Sequence, residues 1–213
     1  MHTELFTIAG GNKTALIWGC DDAQRHEVIQ KMLSTVEQLG FISEGVLPHL
    51  SMMGEELCIN ATLALASMQS NAEGEITASG VESNVQYKNS EGATQIHLAL
   101  PFRSDGEVVL FNGIGFLCTC DEKQYTKKQY AEFATTYGVP AFGIVFYTSD
   151  AYVTPIVYVV QTDSLVEETS CGSGSIAVHI ITGLTDIVQP TGEVIQVTQE
   201  DGMFCVQARV VKV

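Results

Sequence analysis

The 213-residue chain carries 25 acidic residues against 10 basic ones, a formal net charge of −15, with no run of Lys or Arg. Nucleic acid and anionic membranes are bound through concentrated positive charge, so composition argues against both partners. Hydrophobic residues make up 46% and charged ones 16%, which supports a sizeable buried core and excludes disorder.

In chain order, Leu5–Ile8 and Ala15–Trp18 flank the turn Gly10-Gly11-Asn12 and read as a hairpin. From Asp22 onward, Val28, Ile29, Met32, Leu33, Val36 and Leu39 recur at helical spacing. That spacing predicts one amphipathic helix with Asp22 as N-cap and Gly40 as stop. Beyond Phe41–Leu50 and the turn Gly54-Glu55-Glu56, the small apolar run Ala61–Met68 predicts a short buried helix. Short strands follow between Asn71 and Phe102, punctuated by Gly74, Gly80 and Gly92 and ending on Ile96, Leu98 and Leu100 in alternation. Pro101 to Gly106 reads as a linker. Glu107–Phe111 and Ile114–Cys118 then flank Asn112-Gly113, a pair suited to the positive φ angles of a two-residue hairpin turn. Thr126 and Gln129 form a capping box for a helix with the stripe Tyr130, Phe133, Ala134 and Tyr137, stopped by Gly138. Strands at Ile144–Tyr147 and Pro155–Gln161, a helix at Ser175–Ile181, and closing strands at Val194–Val197 and Phe204–Val211 complete the chain.

The two halves therefore run through one order: hairpin, amphipathic helix, strands, then a cysteine opening a small buried helix. Aligned on Cys58 and Cys171, Glu55–Leu65 and Glu168–Val178 share a glutamate three residues before the cysteine, the cysteine and one alanine. Asn60/Ser173, Ala61/Gly174, Thr62/Ser175, Leu63/Ile176 and Leu65/Val178 are alike in kind. This reads as an internal duplication, with one lobe over 1–101 carrying Cys58 and another over 102–213 carrying Cys171. The last strand is free to return to the first lobe. The competing reading is convergence of two N-cap turns on small residues.

A helix N-terminus presents unsatisfied N–H groups and partial positive charge, which bind a carboxylate and lower a thiol's pKa. Facing lobes would bring both thiols to one cleft. Racemisation needs a base on one face of an α-carbon and an acid on the other, and a thiolate and a thiol can exchange those roles with direction. The N–H groups of Ile59, Asn60 and Ala61, and of Gly172, Ser173 and Gly174, are candidates to hold the substrate carboxylate. Such chemistry requires no cofactor. A lone cysteine is more often a small buried apolar residue; the matched pair of turns favours catalysis.

Ser170-Cys171-Gly172-Ser173-Gly174-Ser175 and Glu56-Leu57-Cys58-Ile59-Asn60-Ala61-Thr62 resemble the two active-site segments of the diaminopimelate epimerase family, and Gly11-Asn12 resembles its substrate-contacting Gly-Asn turn. The resemblance spans nearly the whole chain. It implies an α+β fold of two pseudo-symmetric lobes, each a mostly antiparallel sheet or barrel round a central helix, and a cofactor-independent amino-acid racemase or epimerase. By the same resemblance Cys58 and Cys171 are the acid/base pair, and Asn12 and Asn60 touch a small-molecule amino acid.

Departures bear on the substrate. Ile59 replaces the usual glycine after the first cysteine and is expected to crowd the carboxylate. Val139-Pro140-Ala141 stands where Asn-Pro-His is usual, and Thr162-Asp163 where Glu-Arg is usual. An acid thus replaces the arginine that clasps a distal carboxylate, which favours a cationic or imidazole side chain, with Asp163 and Glu44 as its acceptors. The segment from Gly54 to Thr62 is closer in form to histidine racemases of opine-metallophore pathways, which makes histidine the expected substrate. A diaminopimelate epimerase and a catalytically silent amino-acid-binding protein are the alternatives.

No metal site is expected. Cys118-Thr119-Cys120 has no second ligand cluster nearby in sequence, and the five histidines show no ligand spacing. The start Met1-His2-Thr3-Glu4 lacks a signal peptide's basic region and no apolar stretch approaches the roughly 20 residues of a membrane span. A cytoplasmic location, in which six cysteines stay reduced, is the default expectation. Monomer and homodimer both stay open.

Overall fold

The structure, a computed structural model, describes residues 1–121 and 123–213. The first half runs β1 (His2–Ile8), β2 (Gly11–Trp18), α1 (Asp22–Met32), β3 (Gln38–Ser43), β4 (His49–Met52), α2 (Ile59–Ser67), β5 (Glu73–Ala78), β6 (Val85–Ser90) and β7 (Ala93–Ala99). The second runs β8 (Phe102–Asp105), β9 (Val108–Phe111), β10 (Ile114–Thr119), α3 (Lys127–Tyr137), β11 (Ala141–Tyr147), β12 (Val153–Val159), β13 (Ser164–Glu167), α4 (Gly172–Thr182), β14 (Asp186–Val188), β15 (Val194–Glu200), β16 (Met203–Ala208) and β17 (Val210–Lys212).

Both halves build the same sequence of pairings. A hairpin, β1–β2 or β9–β10, is followed by a helical crossover to a parallel strand, β2–α1–β3 or β10–α3–β11. Each crossover strand then pairs antiparallel with the next, β3 with β4 and β11 with β12. After the central helix the chain returns parallel to that strand, as β4 beside β5 in the first lobe and as the single bridge Tyr152–Val188 in the second. A three-stranded meander closes each half, and the two meanders join where β7 pairs antiparallel with β16. β17 leaves the second meander and pairs with β1. The result is an α+β fold of two lobes.

The central helices are apolar on almost every side, as helices buried all round must be. In α2 every residue from Ile59 to Ala66 is buried, and in α4 every residue from Gly172 to Val178. α2 lies inside a wrap of β1 to β7 and β17, and α4 packs on β9, β10, β11, β15 and β16. α1 and α3 lie outside. Thr126 and Gln129 do form a capping box, and Gly138 ends α3 in the left-handed conformation.

Three expected boundaries are corrected. α1 ends at Met32, not Gly40: Glu37 N–H bonds to Lys13 C=O, and Leu39 and Gly40 enter the ladder opposite Ala15 and Leu16. Val36 and Leu39 therefore continued the helical spacing only by coincidence, being buried from a turn and a strand. The N-cap is Asp21, in a capping box with Gln24. The expected linker is strand β8, fully exposed at a sheet edge and held by pairing with β9, so no apolar alternation marks it. Short strands β13 and β14 were not anticipated. No helix among the described residues is long and apolar enough to cross a membrane.

Candidate active site

Cys58 and Cys171 are the N-caps of α2 and α4, both in extended backbone conformation. At each, the N–H three residues on points back at the sulfur: Ala61 to Cys58 and Gly174 to Cys171, both at 3.3 Å. At each, the hydroxyl four residues on closes the first turn on the cysteine carbonyl: Thr62 and Ser175, both at 2.7 Å.

The residue two after each cysteine crosses to the other helix. Asn60 donates to Ser170 C=O at 2.8 Å and accepts from Gly172 N–H at 2.9 Å. Ser173 accepts from Ile59 N–H at 3.3 Å and approaches Leu57 C=O at 3.5 Å. Each therefore reaches the residues on either side of the opposite cysteine, so the two helix starts form one unit with approximate two-fold symmetry. The hairpin turns repeat this crossing. Asn12, at φ 44° at the start of β2, donates its N–H to Thr169 Oγ1 at 2.6 Å. Gly113, at φ 94° in the β9–β10 turn, lies so near Leu57 N and Glu56 Cα that an added Cβ would stand 3.1–3.3 Å from them.

The cleft between the thiols is lined by Glu37, Gln38, Glu56, Asn60, Glu168 and Ser173 among polar groups, with apolar walls from Met53, Phe116, Val157 and Val159. No Lys, Arg or His lines it among the described residues. It is narrow, with a void of about 20 Å3, room for about one water molecule.

Burial sets the ionisation. The two thiols are pushed well above their ordinary range, chiefly by loss of solvation, opposed by the N–H groups aimed at them. Burial likewise raises Glu56 to about 7 and Glu168 to about 8. Glu56 Oε2 accepts from Gly54 N–H at 2.8 Å. Glu168 Oε1 accepts from Gln38, its Oε2 is without a partner, and its carboxyl is near enough to Cys171 to help push that thiol up. Cys58 in turn donates to Gln38 Oε1 at 2.7 Å.

Of the expected site residues, Cys58, Asn60, Cys171, Gly172 and Ser173 line the cleft together. Asn12 is fully buried beside it, with Nδ2 unpartnered and Oδ1 accepting from Thr14 at 2.7 Å. The Ile59, Ala61, Gly172 and Gly174 N–H groups are engaged by Ser173, Cys58, Asn60 and Cys171, so in this closed arrangement they do not form an open carboxylate cradle. Ile59 does not crowd the cleft. Its Cγ2 fills the place where a Cβ on Gly172 would stand 2.6 Å away.

Glu44 and Asp163 are not brought to the site. β3 enters the cleft at its first residue, Gln38, and Glu44 lies beyond its far end, about 20 Å along the strand, exposed near Trp18, Leu65 and Met68. Asp163 sits at φ 47° on the surface, paired with Lys127 at 2.8 Å and Tyr158 Oη at 3.0 Å. The polar lining residues that the sequence reading missed are Glu37, Gln38, Glu56 and Glu168. Alignment had matched Glu55 with Glu168, but Glu55 faces solvent towards Arg25 and Glu56 is the buried one.

Comparison with known proteins defines the class first. A predicted epimerase of Pseudomonas aeruginosa superposes with TM-score 0.71 at 13% identity, covering 99% of this chain and 96% of that one. A hydroxyproline epimerase of Agrobacterium vitis with bound trans-4-hydroxy-L-proline superposes with TM-score 0.65 at 8% identity, covering 99% and 90%. The fold is thus that of two-lobed racemases and epimerases. In sequence, a histidine racemase of Fusobacterium nucleatum subsp. nucleatum is 30% identical, over 91% of this chain and 88% of its own length. A second, from another strain, is 27% identical over the same shares. The family model described as the histidine racemase CntK N-terminal domain matches residues 114–212, the half that carries Cys171. The chain belongs to the histidine racemase family and is an isomerase.

Proposed function

We propose that this chain interconverts L- and D-histidine, with Cys58 and Cys171 as the acid/base pair. The observation that carries the reading is the convergence of two buried helix-capping thiols on one cleft whose other ionisable groups are all carboxyls. A histidine brings an ammonium and an imidazole, both donors when protonated, and Glu37, Glu56 and Glu168 are the acceptors within the same lining. Burial raises Glu56 to about 7 and Glu168 to about 8, which lowers the negative charge the two carboxyls hold in the cleft. Arrival of the substrate ammonium favours the thiolate, because an opposite charge nearby stabilises the ionised form. That thiolate removes the α-proton from one face, and the opposite thiol delivers its own proton to the other. No cofactor enters this scheme.

A void of about 20 Å3 admits no amino acid, so substrate entry parts the two helix starts. Parting them releases the Gly172 and Ile59 N–H groups from Asn60 and Ser173, where they become free to meet the substrate carboxylate. We place the lobes at 1–101 and 102–213 for this motion and assign the protein to a reducing, cytoplasmic setting that keeps both thiols free.

The test is α-proton exchange of L-histidine in deuterated water, followed with chiral chromatography. Either Cys58→Ser or Cys171→Ser is expected to lower exchange and racemisation by about 10²- to 10⁴-fold, the usual contribution of a positioned acid or base. Wild-type rates in both single variants would remove the reading. Turnover of diaminopimelate in preference to histidine would remove the substrate assignment alone.

A further inference from the structure

Gln38 opens β3, and its side-chain amide lies in the cleft lining with Cys58 at one end and Glu168 at the other. Cys58 Sγ–H donates to Oε1 at 2.7 Å and Nε2–H donates to Glu168 Oε1, whose Oε2 is left without a partner in a cleft it shares with the Cys171 thiol. Two hydrogen bonds therefore link Cys58 through an amide to the carboxyl of Glu168, which lines the same cleft as Cys171. The ionisable groups facing this path are Glu37, Glu56, Glu168 and the two thiols, and none of them is cationic. Nothing at the same end of the second lobe repeats it, since β11 begins Ala141, Phe142, Gly143, Ile144.

We infer that Gln38 is a positioning residue that adapts the site to both of its protonation states, its amide turning over when thiol and thiolate change places. The inference rests on the assignment of Cys58 and Cys171 as the acid/base pair. An amide has an acceptor at one end and donors at the other. With Cys58 as thiol, Oε1 accepts its proton and Nε2 donates to Glu168, whose own proton faces the Cys171 thiolate. After turnover Cys58 is the thiolate, and Oε1 would set acceptor against acceptor. A half-turn of the amide presents Nε2–H to the Cys58 thiolate and Oε1 to Glu168. The carboxyl then turns its proton towards Gln38 and accepts from the new Cys171 thiol. The proton count is equal in the two states. Cys58 gives its proton to the substrate carbon and Cys171 takes the one that leaves it, so Gln38 and Glu168 gain and lose none.

Gln38→Leu removes both functions of the amide, and Gln38→Glu keeps its size but, once ionised, has no donor for a thiolate. The experiment measures kcat and kcat/KM for L-histidine across pH 6–10 in both variants, with thermal melting to establish that they fold. A hydrogen bond to a charged group contributes about a 10- to 100-fold factor, so kcat/KM at pH 7 is expected to fall by that amount. The acid limb of the profile is expected to move up by about one to two pH units, so that the deficit shrinks at high pH, with Gln38→Glu affected at least as much as Gln38→Leu. A structural prop would give a loss equal at every pH, and that result, or a wild-type profile in Gln38→Leu, overturns the inference. Wild-type racemisation by Cys58→Ser would remove the acid/base pair and this inference with it. A dead Cys58→Ser beside a pH-independent loss in Gln38→Leu would remove the inference alone.

Discussion

The starts of α2 and α4 share a hydrogen-bond scheme and differ in the side chains that complete it. N-cap cysteine, N–H on sulfur and hydroxyl on carbonyl are repeated with matching distances. Where the copies differ, they differ in complementary ways. Ile59 occupies the volume that Gly172 leaves open, and Asn60 makes shorter crossings, at 2.8 and 2.9 Å, than Ser173, at 3.3 and 3.5 Å. The difference teaches that a duplicated framework diverges as a pair: a change on one helix start is met by its opposite number, because the two are packed on each other.

The largest break in that comparison is expected at the crossing residues. Asn60→Ala leaves a buried carbonyl and a buried N–H without partners, a cost of about 3 kcal/mol. Ser173→Ala, which gives up longer bonds, is expected to cost about 1 kcal/mol. Denaturant unfolding of the two variants checks the ranking, and equal costs would argue that the copies carry the same load.

Complementarity at the next position makes a swap the sharper test. Gly172→Ala forces a Cβ to within 2.6 Å of Ile59 and is expected to destabilise by about 1–3 kcal/mol, the usual cost of overpacking. Adding Ile59→Ala, which removes the Cγ2 in the way, should then cost less than the same change made beside Gly172. Additive losses in the double variant would show that the two residues do not answer one another.

A pH-dependent break in the comparison concerns the carboxyls, which the duplication did not place alike. Glu56 and Glu168, held at about 7 and about 8, keep protons in the native state that the unfolded chain releases near pH 4.5. The native state thus binds more protons across that window, and stability falls as pH rises from about 5 to 8. Glu56→Gln and Glu168→Gln should each flatten that decline by about 3 kcal/mol, read as melting temperature against pH. A slope unchanged in both would mean that the carboxyls are ionised in the folded protein.

The cysteine turns were legible because their chemistry is local. An N-cap followed by small residues dictates a buried helix start, and two such turns in one order imply two lobes. The strands of the hairpins were legible through turn residues such as Asn112-Gly113, whereas β8 and the true end of α1 were not, since pairing with a distant strand decides them. Glu44 was a reasonable acceptor on sequence distance, but a strand carries residues away from a cleft by about 3.3 Å each, and only the direction of β3 shows that Gln38 is the end that arrives.

By itself the sequence determined the class of chemistry: an acidic chain with a large core and two matched cysteine turns, whose α-helix starts and small residues follow from backbone geometry within a few positions. Tertiary structure alone decided which carboxyls are buried in the cleft, that Asn60 and Ser173 cross between the lobes, and that Gln38 joins Cys58 to Glu168. Those are contacts between residues more than 100 positions apart, or on strands whose direction is set by their neighbours. Burial, which raises Glu56, Glu168 and both thiols, exists only once the chain has closed around them.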